Sequence, residues 1–310
     1  MIEISIVIPV FNSESNLKEL VSQIQSALEK HDHEIIMVDD RSKDNSWEVI
    51  KEISTSYANV TGLRLNRNYG QDNAILAGLH HVQGKYVVIM DDDLQHSPSD
   101  LLKLYDACQK GFDVVYADFF KKEQAFWKNL GSWVNGKVAS LLLNKPKGLY
   151  ISPYKIIKKK LVDEIIKYRG QYPYIDGIIL NLTQNVSKIP ATHYKRNQGE
   201  SNFTLGRSVK LFLKIVTSFS IVPLRISTYL GFIVSLFGFL LIPYYLYEYF
   251  TGLIDTEGWT TITILLLILI GLVLFSLGII GEYLGRIYML MTYDTRFLVS
   301  ETVGKEEEPE

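Results

Sequence analysis

Short apolar runs alternate with amphipathic stretches from the start of the chain to about Asn202. The apolar runs Ile4–Pro9, Glu34–Val38, Val60–Leu65, Tyr86–Met90 and Asp113–Tyr116 read as strands. Helical periodicity falls between them, at Ser15–Glu29, Ser46–Tyr57, Gln71–Val82 and Pro98–Lys110. The runs are continuous and β-branched rather than alternating, which predicts strands buried on both faces of a parallel sheet flanked by helices. Gly84 and Gly111 are placed as helix stops and Ser97-Pro98 as a helix start. An α/β domain of this kind holds its ligand at the carboxyl ends of the strands.

The pattern then changes. Leu230–Tyr247 and Thr260–Gly281 carry no charged residue and are apolar on all sides. Each approaches the roughly 20 residues that cross a bilayer core. The connection Thr251–Trp259 holds Asp255 and Glu257 but no Lys or Arg, whereas Lys210, Lys214, Arg225, Arg286 and Arg296 flank the pair. Positive charge stays on the cytoplasmic side, so both termini and the α/β domain are expected there, in a multi-pass protein of the cytoplasmic membrane. Leu205–Ser220 interleaves Leu211, Leu213, Ile215 and Val216 with Arg207, Lys210 and Lys214. That suits a basic helix lying in the interface, with a plain surface helix as the alternative. The expected organisation is a catalytic domain over 1–204, an interfacial region over 205–228, two spans within 229–285 (about 230–250 and 260–282), and a tail over 286–310 that is acidic and disordered from Lys305.

Composition adds limits. A formal net charge of −2 over 310 residues gives no sign of a nucleic-acid binder. The single cysteine, Cys108, excludes an internal disulfide framework and fits a reducing compartment. Met1-Ile2-Glu3 runs straight into the first strand with no signal-peptide pattern.

The strongest chemical signal is Asp91-Asp92-Asp93-Leu94-Gln95, directly after the run Tyr86–Met90. Adjacent acids repel one another unless a cation or solvent offsets them, and a hard divalent ion with oxygen ligands can do so while bridging to a diphosphate. In extended chain Asp91 and Asp93 share one side and Asp92 takes the other. Asp91 and Asp93, with Gln95 on the same face, are therefore the candidate metal ligands for Mg²⁺ or Mn²⁺; an acidic turn capping the next helix is the structural alternative. Three earlier strands also end in polar constellations. These are Pro9-Val10-Phe11-Asn12 with Glu14 beyond, Val38-Asp39-Asp40-Arg41-Ser42, and Asn66-Arg67-Asn68-Tyr69-Gly70. All four would converge on one crevice.

As an ordered set, these motifs resemble those of family 2 glycosyltransferases with the GT-A, Rossmann-like fold. Lys195-Arg196-Asn197-Gln198-Gly199-Glu200-Ser201-Asn202, followed by a basic helix and two spans, resembles the polyprenyl-phosphate glycosyltransferases, among them bactoprenol glucosyltransferases and dolichyl-phosphate mannose synthases. The resemblance covers nearly the whole chain. It implies that Pro9, Val10, Phe11, Glu14, Arg67 and Asn68 surround the nucleotide-sugar. Asp40, with Asp39, would bind its base or ribose; Asp91 and Asp93, with Gln95, would hold its metal and diphosphate, and Asp92 would bind the nucleotide-sugar. Arg196 would clamp a phosphate, and Lys155, Arg196 and Ser201 are the candidates to receive the acceptor phosphate, with a solvated helix face as the alternative for Lys155 and the neighbouring Lys158, Lys159 and Lys160. Asp93, Arg196 and Asp176 are the implied catalytic set, Asp176 as a residue orienting acceptor or sugar, with a helix N-cap as its plain alternative. The implied reaction is an inverting transfer from a nucleotide-sugar, by preference UDP-linked, to undecaprenyl or another polyprenyl phosphate for cell-envelope glycans. A homo-oligomer is a further expectation from relatives.

The chain also departs from the pattern. Asn202 stands where a basic residue is common, and only Lys121 or Lys122 could replace an Arg expected after the fifth strand. Tyr154-Lys155 keeps an aromatic–basic pair but lacks the acid that follows it in relatives. Competing functions are transfer to a lipid hydroxyl, which needs a general base, or to a growing polysaccharide, whose synthases carry a Gln-x-x-Arg-Trp motif absent here. A non-catalytic membrane scaffold is the alternative of another class.

Overall fold

The computed structural model describes residues 2–119, 146, 148–169, 173–191, 222–251, 258–292 and 297–304. The chain forms two units, one of Met1–Thr204 with Tyr293–Glu310 and one of Leu205–Thr292.

The first unit is built on one mixed eight-stranded sheet. Its strands are β1 (Ile4–Val10), β2 (His33–Asp39), β3 (Val60–Leu65), β4 (Tyr86–Ile89), β5 (Val114–Phe119), β6 (Lys155–Lys158), β7 (Val186–Ala191) and β8 (Val299–Val303), in the spatial order β7-β5-β6-β4-β1-β2-β3-β8. Strands β4, β1, β2 and β3 are parallel. The all-parallel expectation is corrected at both sides of them: β6 runs antiparallel between β4 and β5, and β8 runs antiparallel along β3.

The helices are α1 (Leu17–Ala27), α2 (Ser46–Ser56), α3 (Gln71–Leu79), α4 (Leu101–Gln109), α5 (Lys159–Ile165) and α6 (Ile175–Leu182). A 3-10 turn at Pro98–Asp100 leads into α4. Every residue of β1 is buried because the sheet is covered on both faces. Ile4, Ile6, Ile8 and Val10 pack in one cluster with Leu17, Leu20, Val21 and Ile24 of α1 and with apolar residues of α2 and α4. Those four α1 positions follow the i, i+3, i+4, i+7 spacing of one helix face. Val7 points the other way, toward α3, and a Cβ added at Gly78 would sit 2.5 Å from Val7 Cγ1. Glycine there lets α3 approach the strand closely.

The chain steps from β1 outward to β2 and β3, then returns to place β4 on the other side of β1. This reversal opens a crevice beyond the carboxyl ends of β1 and β4, the place where open α/β sheets bind ligands.

The second unit contains two helices, α7 (Val222–Thr251) and α8 (Trp259–Thr292), which pack against each other. Ser227 Oγ and Ser276 Oγ are 2.7 Å apart across them. Their apolar side chains face outward; Phe232 is 66% and Phe250 81% exposed. Among the described residues one stretch is long and apolar enough to cross a membrane, Ile268–Gly285, with a mean hydropathy of 2.0 and no residue buried. At 1.5 Å per residue it extends about 27 Å, close to a bilayer core of about 30 Å. The first helix holds a shorter apolar stretch, Leu224–Leu240, so one of the two expected spans has the length for a crossing among the described residues. Both helices outrun the expected limits. The expected interfacial helix at 205–220 and the acidic tail lie outside the described residues.

Candidate active site

A cleft of about 330 Å³ opens at the strand reversal, lined by Pro9, Val10, Phe11, Asp40, Asn68, Gly70, Gln71, Asp91, Asp92 and Asp93. Each of the four central strands turns sharply just beyond its carboxyl end. Asn12 (φ 55°), Arg41 (φ 59°), Gly70 (φ 89°) and Leu94 (φ 58°) all occupy the left-handed region. Three of these are not glycine, and such residues hold strain of about 1–3 kcal/mol each only where surrounding contacts impose it. Here the turns aim polar groups from four strands into one space.

The contacts that impose this geometry are specific. Asp40 accepts hydrogen bonds from the backbone N–H groups of Tyr69 (2.7 Å) and Gly70 (2.8 Å), tying the end of β2 to the turn that starts α3. Burial raises its carboxyl above the ordinary range, and those two bonds only partly offset this. Phe11 N donates to Asp92 Oδ2 at 3.2 Å, joining the end of β1 to the acidic cluster. Gln71 Nε2 donates to Asp91 Oδ1 at 2.7 Å, and Gln95 N donates to Asp93 Oδ1 at 3.1 Å. His96 stacks between Tyr154 and Phe119, with ring centroids 5.1 and 5.3 Å away.

The three acids do not alternate across a strand, because β4 ends at Ile89 and the chain coils beyond it. All three line the cleft, Asp92 included. Crowding shows in their protonation. The Asp91 carboxyl is pushed up to about 7, by burial first and then by the charges of Asp93 and Asp92. Burial likewise raises Asp92, against hydrogen bonds from Ser13 and from Phe11 N. Buried carboxylates that raise one another are a fit for a divalent cation. No group of three or more His, Cys, Asp or Glu among the described residues is arranged to hold a metal alone.

Other expected site residues stand elsewhere. Asp39 is fully buried, accepts from Ser42 N at 3.0 Å, and lies 3.4 Å from Arg64 Nε, so it braces the turn beside the cleft. Glu14 accepts from Asn45 N at 2.8 Å and holds the loop before α2. Arg67 stacks over the Tyr69 ring, 4.7 Å from its centroid. The Glu14, Arg67, Asp39 and Gln95 side chains are not among those lining the cleft.

Lys155 is not poised at an open acceptor mouth. It is 2% exposed on β6, opposite Ile89 of β4 and Tyr116 of β5. Its ammonium pairs with Asp176, which also accepts from Tyr116 Oη at 3.1 Å. Asp176 sits in the first turn of α6, whose N-cap is Tyr174, so it is not the cap. From this buried position Lys155 also draws the Asp91 carboxyl down, against the larger effects that raise it. Arg196, Ser201, Asn202, Lys121 and Lys122 lie outside the described residues. Gln71, Tyr116 and Arg64 are participants that the sequence reading leaves out. Gln71 had a signal: it opens the helix that follows the Asn66–Gly70 motif.

Comparison with known proteins agrees with this geometry. Residues 5–166 match the model of glycosyl transferase family 2, and residues 222–287 match the GtrB C-terminal hairpin. A Bacillus subtilis (strain 168) protein described as the uncharacterized glycosyltransferase YkcC is 30% identical over 309 residues, covering 98% of this chain and 95% of that protein. Among solved structures, glucosyl-3-phosphoglycerate synthase from Mycobacterium tuberculosis in complex with Mn²⁺, UDP and glucosyl-3-phosphoglycerate superimposes with a TM-score of 0.53. It covers 70% of this chain and 79% of its own at 16% identity. Its complex with phosphoglyceric acid gives a TM-score of 0.52 at 16% identity, covering 70% and 79%. At that identity the likeness shows the fold, a GT-A arrangement.

Proposed function

This chain belongs to the family 2 glycosyltransferases, and on that premise we propose that it transfers a sugar from a UDP-linked donor to a polyprenyl phosphate at the cytoplasmic face of a membrane. Transfer from a nucleotide-sugar follows from the family. The observation that carries the finer reading is the pairing of an acidic cleft with a hairpin of the GtrB type, whose outward-facing apolar side chains suit lipid. The M. tuberculosis synthase of the same fold holds Mn²⁺ and UDP, which supports the choice of donor and ion.

In this reading Pro9, Val10, Phe11, Asp40 and Asn68 form the nucleoside side of the cleft, and Asp91, Asp92 and Asp93 the diphosphate side. When bound, Mg²⁺ or Mn²⁺ offsets the charge that builds on the departing nucleoside diphosphate. Helix α3 begins at Gln71, which lines the cleft, so the positive end of its dipole favours the same anion. Arg196 would add a planar fork of donors to a phosphate. The acceptor oxygen attacks the anomeric carbon in line with the leaving group, inverting it. A phosphate monoester has a second pKa near 6, so this nucleophile is already ionised at cytoplasmic pH.

That point separates two acceptors. A lipid hydroxyl needs a general base, and the candidate, Asp176, is held by Lys155 and Tyr116. Its engagement favours the phosphate acceptor. The test is a transfer assay with undecaprenyl phosphate, Mn²⁺ or Mg²⁺, and a panel of labelled UDP- and GDP-sugars. Label extracted into the organic phase from one donor, and lost on chelation, supports the reading. Label that appears only with diacylglycerol as acceptor overturns it.

A further inference from the structure

The last described strand makes a connection to the cleft that the transfer reaction does not by itself require. In the β3–β8 register Glu301 lies directly opposite Arg64. Glu301 Oε1 accepts from Arg64 Nη1 at 3.1 Å, and Glu301 Oε2 accepts from the indole N–H of Trp47 at 3.0 Å. Arg64 also lies 5.6 Å from the centroid of the Trp47 ring. On its other side, Arg64 Nε stands 3.4 Å from Asp39 Oδ2. Both of these atoms are buried and have no hydrogen-bond partner. Arg64 and Asp39 therefore attract through charge without a directional bond between them. Where the guanidinium sits relative to Asp39 is set from the Glu301 and Trp47 side.

Beyond Asp39 the contacts run to the rim of the cleft. Asp39 Oδ1 accepts from Ser42 N at 3.0 Å, and Ser42 Oγ accepts from Asn12 N at 3.0 Å. Asn12 Oδ1 in turn accepts from Lys43 N at 2.8 Å. Asn12 and Arg41 are two of the left-handed residues that shape the rim. Phe11 and Asp40, their neighbours in sequence, line the cleft itself.

We propose that β8 is a positioning element for donor binding: Glu301, acting through Arg64 and Asp39, sets the turn after β2 against the turn after β1 at the nucleoside side of the cleft. The inference rests on the reading of that cleft as the nucleotide site. In chain order β8 follows the helical hairpin, so the segment beyond the apolar helices contributes to the donor site of the first unit. None of its residues touches substrate; Glu301 acts at a distance of four contacts.

The test uses the full-length protein in detergent, titrated with UDP in the presence of Mn²⁺ and, separately, with GDP. Glu301→Ala is expected to weaken nucleotide binding and raise the donor KM by about three- to tenfold, the scale of coupling through packed side-chain networks. Its kcat at saturating donor and its KM for undecaprenyl phosphate should stay near the wild-type values. Ser300→Ala is the control, because Ser300 Oγ donates to the backbone Arg64 O at 3.1 Å and fastens the same strand without touching the side chains of the relay. It should leave the donor KM unchanged. Nucleotide binding by Glu301→Ala at the wild-type affinity, or equal weakening by Ser300→Ala, would reduce β8 to a strand that merely stabilises the sheet. A wild-type protein that binds neither nucleotide would sink the functional reading first, and the inference with it.

Discussion

The two ends of the central sheet both carry acidic side chains, and their acids behave in opposite ways. At the amino ends of the strands Glu34 accepts from Ser5 Oγ and from Gln83 N, each at 2.6 Å. Ser5 Oγ accepts in turn from Gly84 N at 2.8 Å. Nearby Glu3 is bonded by Tyr105 and His31, which hold its carboxyl below the ordinary value. At the carboxyl ends Asp40, Asp91 and Asp92 are all raised, with burial as the leading cause in each. An acid whose hydrogen bonds outweigh the cost of burying it stabilises the fold as an anion. An acid that is buried beside other acids destabilises the fold until a ligand supplies the missing charge. The difference marks one end as structural and the other as the end that carries the proposed donor site.

The most severe way to break this arrangement is to remove the cation behind the acidic cluster. Lys155→Met leaves the mostly buried Asp176, 13% exposed, without its ion-pair partner, at a cost of about 3 kcal/mol. A urea melt followed by circular dichroism in detergent should show a large fall in midpoint; an unchanged midpoint would mean that the pair is not buried as described. Asp93→Ala should reduce transfer on the order of a hundredfold or more, the loss expected when a group that stabilises transition-state charge is removed. Its urea midpoint should hold or rise. If stability collapsed together with activity, the carboxyl end would be structural as well, and the contrast would fail.

Much of this end of the molecule was legible beforehand. The apolar runs at Ile4–Pro9, Val60–Leu65 and Tyr86–Met90 lie within a residue or so of β1, β3 and β4. Continuous hydrophobicity is a local signal, and the polar clusters that follow such runs must emerge at one edge of the sheet. Other elements carried no such signal. Strand β6 is four residues long, bounded by lysines, and its antiparallel place between β4 and β5 depends on partners distant in sequence. Strand β8, Val-Ser-Glu-Thr-Val, pairs with β3 across more than two hundred residues of chain. Its residues have alternation too weak to distinguish from a polar tail. The pairing of Lys155 with Asp176 was equally hidden: a lysine among lysines reads as a solvated face, and only the sheet order buries it. Asp92 lines the cleft with its neighbours because the extended geometry that would turn it away ends at Ile89, before the acidic cluster begins.

A smaller effect sharpens the contrast by reversing the usual sign of a substitution. The folded-state value of Asp91, about 7, lies above its ordinary value of 3.8, so the native protein binds the extra proton. In the metal-free protein, stability on this account falls as pH rises through that window. Asp91→Asn removes the fall, and with chelator present above neutrality it should gain about 1–2 kcal/mol while losing transfer activity, as stabilising changes in functional sites do. A variant less stable than wild type at pH 8 would contradict the reading of the cluster as ligand-seeking.

Glu3 offers the mirror image and the mildest test. Its folded-state value lies below 4.5, so its contribution is present above that pH and is lost as the pH falls through the folded value. The side chain is 35% exposed, and screening keeps the effect to a fraction of what a fully buried group would show. Glu3→Gln should therefore be slightly less stable than wild type at pH 7, and the two midpoint-versus-pH curves should converge as the solution becomes more acidic. The variant keeps the shape of the side chain and a carbonyl that can still accept from Tyr105, so a difference that vanishes with acid is attributable to the charge. If the curves instead ran parallel across the whole range, hydrogen bonding alone would account for Glu3. The two ends of the sheet would then differ in the number of their hydrogen bonds rather than in where charge is welcome.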